Sequence, residues 1–310
     1  MENTNDVAVK IEEVQMSPDE IQRIKSEAEG EFAIKISEHN EKEYAWPYHK
    51  NDQNEWVVES TDSEEELTMI TPYSAFSYLK NPLISKNGTL AIVPLYNNGQ
   101  GEWSGYKQIE LNIFENNLHI SWQTSSEEHI KLKNFPIGFS TILEPNGDFF
   151  LMTFDGYALT HWSKDHTGAW TSVDIADSNE KNYKNPAMAP DESYLLTTTD
   201  DKKINIWKRD ANKQWQLDHD VDSPEAVDAF YIAPNSQYFV TVNRTSATAY
   251  LWYKNSGGQW THTEFNGVPS VLRVRKDLEG NLLITPQVVF DKDSKYIVMD
   301  GATQKVLEVS

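Results

Sequence analysis

Three stretches, WSKDHTGAW (residues 162–170), WKRDANKQW (207–215) and WYKNSGGQW (252–260), begin and end in tryptophan, and successive stretches start 45 residues apart. A period of about 40–45 residues marks propellers, in which one repeat is one four-stranded blade. About seventeen residues before each first Trp lies a polar turn: Pro145-Asn146-Gly147, Pro190-Asp191-Glu192 and Pro234-Asn235-Ser236. Each turn leads into a run rich in aromatic and β-branched residues (DFFLMTF, SYLLTTT, QYFVTV), the signature of a buried strand. A second turn follows, then a strand closing on the first Trp (ALTHW, INIW, AYLW), and the second Trp opens an outer strand. Four strands and three short turns fill the repeat.

The register extends both ways. Forty-five residues past Trp252 and Trp260 lie Ile297 and Lys305, so residues 270–310, with the turn Leu278-Glu279-Gly280, read as a final blade without tryptophans. Backwards, YNNGQGEW ending at Trp103 matches YKNSGGQW ending at Trp260, and Trp46 and Trp56 frame the same hairpin with two extra tip residues. LHISW and HIKLKN supply strands of an abbreviated unit between Trp103 and Trp162. Outer strands are then expected near 56, 103, 128, 170, 215, 260 and 305, which makes seven blades; six with a long insertion over 61–136 is the rival count.

In this order of strand, Pro-Asp/Asn turn, strand, polar turn and strand closing on Trp, the chain resembles the WD-repeat β-propeller family. The segments FSTILEPNGDFFLMTFDGYALTHW, PAMAPDESYLLTTTDDKKINIW and AVDAFYIAPNSQYFVTVNRTSATAYLW carry the resemblance, over residues 137–310 and more loosely over 30–136. The Asp that usually follows the Trp is replaced by Ser163, Lys208 and Tyr253, and His219 alone stands near the place of the family's Gly-His pair. The resemblance implies a fold that is all-β, a β-propeller with a short N-terminal helix. It also implies that the face formed by the loops between blades and between second and third strands docks a protein or peptide. On that face lie FPIG (135–138), ADSNEKNYKNP (176–186), HDVDSPEA (219–226) and NRTSA (243–247). Tyr183, Lys202, Lys203 and Arg244 are the partner-binding candidates there, Tyr and Arg being favoured at hot spots.

Composition supports the architecture. Ten Trp and an aromatic content of 12% suit stacked sheets with large planar contacts, and a repeat fold accommodates 310 residues without a linker. The net charge is −21; residues 1–70 hold 19 acidic against 6 basic side chains, or −13, leaving −8 for the rest. Such a field repels phosphate backbones and anionic lipid, so neither nucleic acid nor membrane is expected as a partner. With no cysteine, disulfides, thiol nucleophiles and Cys-ligated metals are excluded. No signal sequence or membrane span is read, and a cytoplasmic, monomeric protein is expected.

The N-terminal residues 1–30 form an extension to the propeller of 31–310. Val7, Val9 and Ile11 alternate as on a half-buried strand. Ser17-Pro18-Asp19-Glu20 then starts a helix of about 11 residues, with Ser as cap and Glu reaching back, presenting Ile21, Ile24 and Ala28 on one face. This helix plugs or covers the ring, or else binds a partner.

No metal or catalytic motif appears. His161 and His166 do not converge, and the D-x-D pairs Asp220/Asp222 and Asp291/Asp293 lack the Gly and distal Glu of a calcium loop. The expectation is a non-catalytic interaction scaffold without cofactor. A glycan- or small-ligand-binding propeller with exposed Trp pockets is the alternative, and an enzyme with its site in the central channel the least favoured.

Overall fold

The computed structural model describes residues 9–28, 32–39, 42–53, 55–58, 78–79, 83–84, 90–98, 107–116, 122–132, 139–143, 149–153, 159–176, 183–243, 245–266, 273–276, 282–285, 288–300 and 304–310. Two compact units are present, Met1–Glu29 with Asn182–Ser310, and Gly30–Lys181.

In the first unit the repeats become four-stranded antiparallel sheets, each strand pairing with the next in the chain. One sheet runs Lys184–Met188, Leu195–Thr198, Lys203–Arg209, Trp215–Asp222. The next runs Ala229–Ile232, Tyr238–Asn243, Thr248–Lys254, Trp260–Asn266. Strand alternation assigns the core. On Tyr238–Asn243, Phe239 faces Leu196, Ile204 and Ile206 of the preceding sheet. Tyr238, Val240 and Val242 face the other way, toward Val288, Ile297 and Leu307. Every residue of that strand is therefore buried, as in a sheet covered on both faces.

The turns have a local cause. Glu192, Ser236 and Ser294 occupy equivalent first-turn positions, with φ of 58°, 59° and 58°. In the hairpins before the outer strands, Asp165, Asp210 and Asn255 each accept backbone N–H bonds from across the tip, as Ala169, Gln214 and Gln259 donate at 3.1, 2.9 and 3.0 Å. The left-handed residue of each tip is Gly168, Lys213 or Gly258, and glycine adopts that conformation without a Cβ clash.

The last sheet departs from the expected register. Its strands are Val288–Phe290, Tyr296–Met299 and Lys305–Val309, and its outermost strand is Ile11–Glu13, from the other end of the chain. Ile297 therefore lies in a second strand rather than at the place of Trp252, and Lys305 opens a third strand rather than an outer one. The cause is an insertion: Arg273–Lys276 and Leu282–Thr285 form a separate two-stranded sheet, so the first turn falls at Asp291–Ser294 and not at Leu278–Gly280. Pairing of Ile11 with Val309 and Glu13 with Leu307 is extended by Lys10 N–H to Ser310 O at 2.7 Å and Val14 N–H to Val306 O at 2.9 Å.

Helix Pro18–Ala28 lies on this sheet. Ile21 and Ile24, 9% and 1% exposed, pack on Val289, Val298 and Val306. Lys25 Nζ meets both carboxylate oxygens of Asp300 at 2.7 and 2.8 Å. Ala28, expected on the buried face, ends the helix and is exposed.

In the second unit the sheet of Phe139–Leu143, Phe149–Thr153, Leu159–Lys164 and Trp170–Ala176 repeats the pattern. Two expectations upstream are corrected. Trp103, itself outside the described residues, does not precede an outer strand, because Lys107–Asn116 pairs on both sides, with Leu90–Asn98 and Trp122–Leu132. Position 128 lies inside Trp122–Leu132, so residues 78–132 make one sheet rather than two. Nor does the first hairpin carry extra tip residues. Lys50 pairs with Trp56 just as Lys164 pairs with Trp170, Arg209 with Trp215 and Lys254 with Trp260. Tyr48, not Trp46, thus takes the place of the first Trp.

Candidate functional site

The segment that joins the 184–222 and 229–266 sheets, with the strand end before it, carries a cluster of polar side chains. Residues 220–228 hold four carboxylates, Asp220, Asp222, Glu225 and Asp228, and the loop is fastened along its length. Ser223 N–H donates to Lys202 O at 2.8 Å, and Asn243 Nδ2 donates to Ala226 O at 2.8 Å. Asn185 Nδ2 donates to Val227 O at 2.7 Å, and Ser246 Oγ donates to Glu225. The short Asn243 and Asn185 side chains act here as staples for carbonyls that no strand ladder satisfies.

At one end of this loop the Lys203 ammonium lies 3.2 Å from Asp220 Oδ1 and 3.1 Å from Asp222 Oδ1. Hydrogen bonds that the ammonium donates to Asp222 and Asp220 hold the Lys203 pKa above the usual lysine range. The arrangement follows from register: Lys203 pairs with Asp222 and Asn205 with Asp220, so all four share one face of the sheet. Asn205 is fully buried, and neither Oδ1 nor Nδ2 has a hydrogen-bond partner. Ser223 Oγ, just past Asp222, is likewise buried and unpartnered. Carboxylates beside an ammonium can take a proton from water and steady a developing negative charge.

The residues singled out from the sequence divide. Lys203 belongs to this cluster. Lys202 is exposed at a left-handed turn position, φ 61°. Tyr183 is 6% exposed and packs edge-on against Trp207 at 5.2 Å, so its ring serves the core instead of standing ready for a partner. Arg244 and the segments 135–138 and 177–182 lie outside the described residues. Asn205 and Ser223 do not stand out in the sequence, and Asp220 does so only as half of a D-x-D pair in DVDSPE, which reads equally as an ordinary acidic loop.

Among the residues whose burial is described, no tryptophan is an exposed platform. Trp207, Trp215 and Trp252 are 2%, 3% and 1% exposed. Trp207 Nε1 donates to Thr197 Oγ1 at 2.9 Å and Trp252 Nε1 to Thr241 Oγ1 at 3.0 Å. Each second Trp is capped by the basic residue opposite it: Lys164 over Trp170 at 5.4 Å, Arg209 over Trp215 at 5.1 Å, Lys254 over Trp260 at 5.2 Å. Repeated Trp-lined sugar pockets are therefore not what this spacing encodes in these sheets.

Neither a protein-family model nor a curated protein matches the sequence. Solved structures do resemble it. A functionally unknown protein from Desulfotomaculum acetoxidans is 11% identical with a TM-score of 0.56, over 89% of this chain and 78% of that one. The periplasmic gluconolactonase of Pseudomonas aeruginosa is 12% identical with a TM-score of 0.51, over 83% and 72%. A protein from Lactobacillus plantarum is 12% identical with a TM-score of 0.50, over 77% and 69%. The fold is propeller-like. No family model supports membership of the WD-repeat family, and the likeness carries the fold alone. The expectation of a non-catalytic scaffold, and of no enzymatic activity, is overturned by the gluconolactonase: a framework of this kind carries a catalyst. That protein is also periplasmic, so the fold does not tie the chain to the cytoplasm. No helix among the described residues is long and apolar enough to cross a membrane.

Proposed function

We propose that the protein is a lactonase-type hydrolase that opens a small sugar-derived lactone. The observation that carries this reading is the Asp220–Lys203–Asp222 cluster, with Asp220 and Lys203 about one-third exposed on two paired strands that lead into a fastened loop. The fold shared with a gluconolactonase suggests the substrate class. In the reaction Asp220 takes a proton from water as the water oxygen bonds to the lactone carbonyl carbon. The Lys203 ammonium steadies the charge on the carbonyl oxygen. Collapse breaks the ring C–O bond, and the proton passes from Asp220 to the departing ring oxygen, leaving a hydroxy acid. Among the described residues, six strands, beginning at Ile11, Trp56, Trp122, Trp170, Trp215 and Trp260, take the outer position, which supports six blades over seven.

Acid release from D-glucono-1,5-lactone, followed in a pH-stat against spontaneous hydrolysis, tests the proposal. Asp220→Asn is expected to lower the catalysed rate about a hundredfold or more with the fold intact. A wild-type protein no faster than buffer ends this reading.

A further inference from the structure

Two orphaned polar groups flank the Lys203 cluster. Asn205 is 0% exposed and Ser223 7%, and neither side chain makes a hydrogen bond. Burying such groups unpaired destabilises a fold, and an apolar side chain of similar shape would avoid the loss. Nearby hydroxyls are turned elsewhere: Thr197, its cross-strand partner, accepts from Trp207 Nε1, Thr199 donates to Asp201, and neither bonds to Asn205. Alternation along Lys203–Arg209 turns the Asn205 amide to the same face as Lys203, and register sets it beside Asp220.

We propose that Asn205 and Ser223 recognise the hydroxyl groups of a neutral polyhydroxylated ligand docked on Lys203, Asp220 and Asp222. An amide offers two donors and an acceptor, and a serine hydroxyl both donates and accepts, which matches the dual character of sugar hydroxyls. Two carboxylates repel an anion, and the Lys203 ammonium occupies the position a cation would take. That the ligand is the lactone itself rests on the hydrolase reading; the recognition groups do not. Both residues bind and orient; neither moves a proton.

The test is calorimetric titration of the full-length protein with D-gluconolactam, a neutral analogue that does not hydrolyse, beside lactone kinetics. Wild type is expected to bind the lactam. Asn205→Leu is expected to weaken binding about tenfold or more while its melting temperature stays level or rises, and Ser223→Ala to weaken it several-fold. Should Asn205→Leu fold poorly, Asn205→Thr and Ser223→Ala carry the comparison. Lactam binding lost in the variants, from a wild type that opens no lactone, supports recognition and removes the hydrolase. Wild-type affinity in the variants, or no lactam binding by the wild type, overturns the proposal even if lactone is hydrolysed.

Discussion

Trp207 and Thr197 are hydrogen bonded across adjacent strands, indole Nε1 to Oγ1 at 2.9 Å, with exposures of 2% and 0%. Thr241 repeats the bond to Trp252 at 3.0 Å. In the 139–176 sheet the same register position is Leu151, which has no hydroxyl. Thr197→Val keeps the shape and orphans a buried N–H, so a loss of about 1–3 kcal/mol is expected in urea unfolding. Trp207→Phe with Thr197→Val should cost less than the two single changes added together, since both partners then leave. Additivity in that cycle would deny the bond a role.

Tyr194 and Tyr238 hold equivalent positions, both 4% exposed, yet only Tyr238 has a partner, donating to Ser294 O across to the next sheet. Tyr238→Phe should therefore cost about 1 kcal/mol, whereas Tyr194→Phe should be neutral or stabilising. Burial pushes both phenols above their usual value, with nearby Asp191 and Asp291 adding to it. A folded-state value raised above the unfolded one means stability that is complete below about pH 10 and lost as pH rises past it. Wild type should lose melting temperature in that alkaline range, and Tyr194→Phe should lose less. Parallel alkaline curves for the two would refute the assignment.

Ser17 and Glu20 bond reciprocally at the helix start, Glu20 N–H to Ser17 Oγ at 3.3 Å and Ser17 N–H to Glu20 Oε2 at 3.1 Å. Ser17→Ala should cost about 1 kcal/mol, and Ile24→Ala about 2–5 kcal/mol because it empties a site 1% exposed. Hydrogen bonds from the Ser17 side chain and backbone hold the Glu20 carboxyl below its ordinary value. Its contribution is present above the unfolded-state value and fades as pH falls through the lower folded one. Glu20→Gln should therefore flatten the acid side of the stability curve. An unchanged acid limb would show that the capping bonds do not persist in solution.

Much of the fold was legible because its signals are local. The turn positions, the strands of 139–266 and the capped helix all follow from residues a few places apart. The register across the N-terminal half was not, because YNNGQGEW mimics the hairpin of Trp260 without preceding an outer strand. The element that persists is the second: Trp56, Trp122, Trp170, Trp215 and Trp260 each open an outer strand, six residues after the partners Lys50, Asn116, Lys164, Arg209 and Lys254. An Asn or Asp follows every one of those partners. The side chains of Asn51, Asp165, Asp210 and Asn255 close their tips, and a cation covers the rings of Trp170, Trp215 and Trp260.

The candidate site was legible only in part. Lys203 stood out as a charged loop residue, but Asn205 sits in an apolar strand where alternation and burial, not identity, give it meaning. Tyr183 shows the converse, since an aromatic in a loop sequence can pack edge-on against a core tryptophan.

What the sequence alone determined was the repeat itself: strand, turn, strand and hairpin within about 45 residues, where every interaction is between near neighbours along the chain. Only the tertiary structure decided that Ile11–Glu13 completes the sheet of Lys305–Val309, and that Asp220, Lys203 and Asn205 meet on one face. Backbone edges and side-chain faces are satisfied by whatever packing brings near, and periodicity carries no record of partners so far apart.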